Sequence, residues 1–105
     1  MINEIEKPIV FGNYIHNLRK EKKYSLKIVA EKLGIDISLL SKIENGERQL
    51  QSHMIGGLSE LFDLDYKEMQ IQLLNQKIEN DYGNEPFINE ALQMYLTKRT
   101  NHNGL

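Results

Sequence analysis

An all-α fold follows from three features of the 105-residue chain. Apolar residues recur at three- and four-residue steps through most of it, the period of a helix with one buried face. No segment shows the strict apolar–polar alternation of a half-exposed strand. The two prolines, Pro8 and Pro86, lie near the ends, so a long interior is free of the residue that most disrupts helices.

Six helices are predicted in order. The first spans about Gly12 to Lys22, with Phe11, Ile15 and Leu18 on one face. Ser25 suits the N-cap of a second, Leu26–Leu33, whose buried stripe is Val29, Ala30 and Leu33. Tyr24 and Val29 can staple its start. Gly34 ends it, because glycine takes the left-handed conformation at little cost. Asp36 caps a third helix, Ile35 and Leu40 can staple it, and Leu40 and Ile43 point inward. The pair Asn45-Gly46 stops it. Two helices joined by a short glycine-containing turn make a helix-turn-helix.

The fourth helix, roughly Ser52–Phe62, carries Met54, Ile55, Leu58, Leu61 and Phe62 at helical spacing. Gly56 and Gly57 weaken it by about 1 kcal/mol each against alanine. Asp65 and Glu68 form a possible capping box for a fifth helix reaching about Asn80. Its apolar side is Tyr66, Met69, Leu73, Leu74 and Ile78. Asp81–Asn84 breaks it. Pro86 suits the first position of a sixth helix, which runs to about Lys98 with Phe87, Ile88, Ala91, Leu92, Tyr95 and Leu96 on a wide apolar face. The tail Thr100–Leu105 is expected to fray.

The length allows one small domain, and the balance of 40% apolar and 27% charged residues is that of an ordinary globular one. With no cysteine, a disulfide framework, a thiolate zinc site and a cysteine nucleophile are excluded. No apolar run approaches the length of a membrane span, and the N-terminal residues lack a signal peptide's pattern. The expected compartment is the cytoplasm. His16, His53 and His102 show no ligand spacing, so no metal and no cofactor is expected. There is no Ser-His-Asp arrangement and no glycine-rich phosphate loop, and the carboxylates fall on helix surfaces, so an enzyme is not expected.

The net charge of −2 hides an asymmetry. Residues 10–50 hold eight Lys/Arg against five Asp/Glu, giving +3; residues 51–105 hold four against eight, giving −4; residues 1–9 add −1. One half suits a polyanion and the other does not.

Leu18-Arg19, then Ser25 through Ile35, then Leu40 through Arg48 carry a recognisable spacing: small Ala30, Gly34 four later, apolar Leu40 and Ile43, then Glu44 and the turn. Over about residues 10–70 this resembles the Cro/phage-repressor (XRE) helix-turn-helix family. The resemblance implies a five-helix, lambda-repressor-like DNA-binding unit, here with one extra C-terminal helix. The domain expectation is 10–80 for the DNA-binding unit and 81–105 for a helical extension, within the same globule or a dimer interface. The pattern also makes physical sense: Ala30 is small where two helices cross, and anchoring by Leu40 and Ile43 leaves the other side of the third helix free for a major groove.

The resemblance implies base-edge contacts by Ile37, Ser38 and Lys42. Lys42 can donate to guanine, Ser38 can donate or accept, and Ile37 can meet a thymine methyl. It implies phosphate contacts by Ser25 and Lys27 at the start of the second helix, by Ser41, and by Asn45 and Arg48 around the following turn. Arg19 and Glu44 match a structural salt bridge that ties the first helix to the third.

Three positions depart from the family. Leu26 stands where the family often has a glutamine that holds a phosphate or orients a base-reading neighbour. Lys23 stands where glycine is usual, at a strain of about 1 kcal/mol if the backbone is left-handed. Leu39 is apolar where small polar residues are usual, and with Ile37 it is expected to expose an apolar patch. The expected partner is double-stranded DNA, read by a homodimer with the fifth and sixth helices in its interface. The sixth helix can instead fold back on the fifth and on Ile2, Ile5, Ile9 and Val10. The alternatives are a controller- or antitoxin-like protein with a further protein partner, or a helical adaptor without DNA binding.

Overall fold

A computed structural model describes the chain from Val10 to Asn103, with side chains through Thr100. Pro8, Ile2, Ile5, Ile9 and the side chain of His102 lie outside the described residues. The described residues form six α-helices and one short 3-10 turn: α1 (Phe11–Lys22), α2 (Leu26–Leu33), α3 (Ile37–Glu44), the turn Ser52–Met54, α4 (Ile55–Phe62), α5 (Tyr66–Tyr82) and α6 (Ile88–Asn103). The all-α expectation, a helix-turn-helix unit followed by a C-terminal helix, is what the chain adopts.

The first three helices end as local chemistry dictates. At the end of α1, Lys23 is left-handed, with φ 60°. The Lys23 N–H donates to the Lys20 carbonyl and the Tyr24 N–H to the Arg19 carbonyl, closing the last turn. Lysine adopts this conformation at a cost of about 1 kcal/mol, which the two bonds offset. Ser25 Oγ accepts the Ile28 N–H at 3.1 Å at the start of α2. Gly34, with φ 73°, ends α2 with the same pair of bonds, to Glu31 and Ala30. Asp36 Oδ1 accepts the Leu39 N–H at 2.7 Å and starts α3.

Four boundaries and one cap differ from the sequence expectation; α5 runs on through Asp81 to Tyr82, two residues into the expected break. Ser52–Met54 winds as a 3-10 turn rather than as the first turn of α4, with the Met54 N–H on the Gln51 carbonyl; tighter winding satisfies amides at a start that has no side-chain cap. Asp65 Oδ1 accepts the Glu68 N–H at 2.8 Å, but the Glu68 carboxylate takes Gln72 Nε2 at 3.2 Å, which draws it along α5 instead of back to the cap. The sixth helix begins at Ile88, not Pro86, because the bonds Glu85 N–H to Tyr82 and Ile88 N–H to Glu85 make residues 82–88 a turn. It continues to Asn103, past the expected end near Lys98; Gly104 and Leu105, in the tail expected to fray, lie outside the described residues.

A single core joins α1–α5. Phe11, Ile15, Val29, Leu40, Ile43 and Leu50 are sealed in it with Ile55, Leu58 and Leu73. The Tyr24 ring lies 5.9 Å from that of Phe62, tying the α1–α2 turn to α4. Two glycines set the helix crossings. A Cβ on Gly12 would strike the Ile43 carbonyl oxygen and come within 3.0 Å of that of Glu44, so α1 rests directly on the last turn of α3. A Cβ on Gly57 would sit 2.8 Å from the Lys32 carbonyl oxygen, so α4 rests on the last turn of α2. Gly57 is therefore a packing requirement rather than a weak link.

Burial also corrects the apolar assignments. Tyr66 and Leu74 are exposed, while Met69 and Leu73 carry the inner face of α5. Phe87, in the turn before α6, and Tyr95 and Leu96 of α6 are exposed, and Ile88 and Leu92 half-buried.

Candidate nucleic-acid interface

The eight residues of α3 divide cleanly. Leu40 and Ile43 are buried, and Leu39 is half-buried against the same core. On the opposite arc Ile37, Ser38 and Lys42 are exposed, and Ser41 is half-buried. One-turn spacing brings Ser38, Ser41, Lys42 and the exposed Asn45 onto one stripe of about two turns. The expectation that Ile37 and Leu39 expose an apolar patch together is corrected: Leu39 falls on the core side, and Ile37 is exposed without it.

The turn after α3 is wound back onto the helix end. The Lys42 carbonyl accepts the Glu47 N–H at 2.8 Å and the Arg48 N–H at 3.3 Å, and Gly46 takes φ 82°. Arg48 is exposed and lines a cleft of about 580 Å³ between the start of α1 and α5, with Gln49, Gln76 and Glu79 among its other walls. It thus lies toward α1 and α5. At the start of α2, Ser25 and Lys27 are exposed. The Ser25 oxygen accepts the Ile28 N–H, which leaves its O–H to donate. Leu26, in the glutamine position, is half-buried against the core, so its side chain serves packing.

A charged clamp fixes α3 to α1. Arg19 Nε meets Glu44 Oε2 at 2.8 Å and Nη2 meets Oε1 at 3.0 Å, a bidentate pair. Arg19 Nη1 also donates to the Tyr24 carbonyl at 3.2 Å. His16 Nδ1 lies 2.9 Å from Glu44 Oε1. Only 5% of the Glu44 side chain and 11% of that of Arg19 are exposed. Burial works to raise the Glu44 pKa, but the hydrogen bonds and charges of Arg19 and His16 outweigh it and hold the carboxyl below its usual value. The Glu44 hydrogen bond in turn raises the Arg19 pKa. Arg19 is therefore committed, and only Lys20, Lys22 and Lys23 of the basic cluster stand free in solvent.

Sequence reasoning missed two contributors to this frame. His16 sits one turn before Arg19 on the same face of α1, a spacing that could have flagged it. Gln76 Oε1, on α5, accepts the Phe11 N–H at 3.1 Å and caps α1, which has no side-chain cap of its own; a contact 65 residues away in sequence leaves no local trace.

Residues 12–77 match the model of the helix-turn-helix domain family, more than half of the chain. The chain belongs to that family. The match runs from the second residue of α1 into the second half of α5 and leaves α6 outside. No curated protein matches the chain. Among the described residues no cluster of His, Asp or Glu could hold a metal, and no helix is long and apolar enough to cross a membrane.

Proposed function

We propose that this protein is a sequence-specific double-stranded DNA-binding regulator of the XRE type, acting as a repressor by occupying its site. The carrying observation is the division of α3: one arc sealed by Leu40 and Ile43, the other presenting Ile37, Ser38 and Lys42 to solvent. A helix held on one side and open to solvent on the other fits a major groove. Ile37, Ser38 and Lys42 read bases in this proposal, while Ser25, Lys27, Ser41, Asn45 and Arg48 hold phosphates. The Arg19–Glu44 clamp positions α3 and touches no base. Residues 10–80 act as the DNA-binding unit and 81–105 as its extension. Two copies read two half-sites about one helical turn apart.

The test is selection of binding duplexes from a random pool, then fluorescence anisotropy on the selected and scrambled duplexes across a salt series. Binding to the selected duplex should be tighter and should weaken steeply with salt. Lys42→Ala should cost about 1–3 kcal/mol and relax preference at one position of the site. Arg48→Ala should weaken binding to all sequences alike and reduce the salt slope by about 1. Equal binding to selected and scrambled duplexes by the wild type would refute sequence reading.

A further inference from the structure

Among the described residues, α6 and Phe87 just before it present a large apolar face with no partner. Phe87 is 72% exposed, Met94 65%, Tyr95 55% and Leu96 61%. α5 adds a second stripe on the side away from the core, Ile71, Leu74, Ile78 and Tyr82 at three- and four-residue steps, of which only Ile78 is half-buried. The two stripes meet in an open, mostly apolar cleft of about 390 Å³ in the crook between α5 and α6, with Ile78, Tyr82, Phe87, Ile88 and Leu92 among its walls together with the carboxylate residue Glu85.

Charge around this face is segregated. From Ile78 to Thr97 there are four acidic residues, Glu79, Asp81, Glu85 and Glu90, and no lysine or arginine. From Lys98 to the last residue there are two cations, Lys98 and Arg99, and no acid. Glu85 is among the walls of the crook, and the other three acids lie within the neighbouring turns, after Lys77; the basic pair stands at the other end of α6. Arg99 lies over the Tyr95 ring, 5.5 Å from its centre, so the cation sits on the same side of the helix as the apolar stripe.

A helix acidic at one end and basic at the other is complementary to itself when inverted. We infer that α6 is the contact between two copies of this chain, paired antiparallel about a two-fold axis at Ala91 and Leu92. In that register Tyr95 and Leu96 of one copy reach Ile88 and Phe87 of the other and fill the crook. Ala91, the smallest residue of the stripe, lies opposite Leu92 at the crossing, where closest approach needs a small side chain. Lys98 comes opposite Glu85, with Arg99 beside it facing the acidic crook. A two-fold contact repeats each of these pairs. This deepens the two-copy reading above and rests on it; α3 takes no part.

The test uses the full chain. Sedimentation should show a wild-type dimer between about 1 and 100 μM, where modest dimers have their midpoints. Leu92→Glu with Tyr95→Glu should raise the dissociation constant at least about thirtyfold, the loss expected at a central anchor. Its thermal melt and helical circular dichroism should still show the folded α1–α5 core. Because the chain has no cysteine, Ala91→Cys should form a covalent dimer on mild oxidation, and Gln93→Cys, on the polar side, should not. A wild-type monomer across the range overturns the inference. So does a dimer that survives the double substitution, or one in which Ala91→Cys stays unlinked. A dimer that depends on α6 in a protein that binds no duplex upholds this inference and refutes the DNA reading.

Discussion

Two adjacent glycines in α4 should respond to the same substitution with opposite force. Gly56 and Gly57 are both helical, and each gains about 0.5–1 kcal/mol of helix propensity on replacement by alanine. A Cβ on Gly56 would meet nothing within 4 Å. A Cβ on Gly57 would lie 2.8 Å from the Lys32 carbonyl oxygen and 3.3 Å from Leu33 Cδ2. The nearest obstacle is backbone, at the end of α2, and cannot turn aside as a side chain can. Relief needs α2 and α4 to separate by roughly half an ångström, against a core in which Leu58 and Val29 have no exposed surface. Overpacking of this kind costs about 1–3 kcal/mol.

The propensity gain is common to both variants, so the difference between them isolates the packing cost. Gly56→Ala should raise Tm by a few degrees. Gly57→Ala should melt below Gly56→Ala by about 4 °C or more, since 1 kcal/mol moves a domain of this size by about 4–8 °C. Thermal unfolding followed by circular dichroism measures both. Equal Tm values, or a Gly57→Ala variant that melts higher, would refute the reading of Gly57 as a helix-crossing residue.

Three further outcomes follow from the clamp and the core. Arg19→Met leaves the Glu44 carboxylate buried without its main partner and should destabilise by roughly 3–5 kcal/mol, read by urea unfolding; adding Glu44→Gln should recover part of that loss. The Glu44 pKa is lowered on folding from an ordinary 4.5, so its contribution is fully present above that value and is lost as pH falls below it through the folded pKa. Unfolding measured from pH 6 to about pH 3 should show a shallower acid limb for Glu44→Gln than for the wild type. The Ser59 hydroxyl is buried with no hydrogen-bond partner among the described residues, so Ser59→Ala should hold or raise stability by up to about 1 kcal/mol, checked by the same melts.

Much of the fold was legible because its punctuation is local. Ser25, Asp36 and Asp65 cap helices through the amide three residues on, and Gly34 supplies a left-handed end. Such effects act within one turn and can be read off the chain. Asp63 ends α4 with φ 55° and no glycine; an aspartate tolerates that conformation, but the residue type alone does not announce it. Gly57 looked like a flaw in a helix, because sequence shows the missing side chain and not the carbonyl that fills its space. Periodicity likewise could not tell which of two apolar stripes on α5 meets the core: Met69 and Leu73 do, while Leu74 and Ile71 face solvent.

The same limit separates the two halves of the candidate site. Which side of α3 faces outward is settled by Leu40 and Ile43, whose spacing is visible in sequence. Where that face points depends on contacts between distant residues: Gly12 beneath the last turn of α3, Arg19 and His16 on Glu44, and Gln76 capping α1. All four bear on α1, and three of them tie it to the C-terminal turn of α3. An eight-residue helix has little stability alone, so its aim is borrowed from α1. It follows that Gly12→Ala, which alters no outward residue of α3, should lower both Tm and, on the proposed DNA reading, affinity for the selected duplex, measured by thermal melts and anisotropy, whereas Lys20→Ala, exposed on the same helix α1, should leave Tm unchanged.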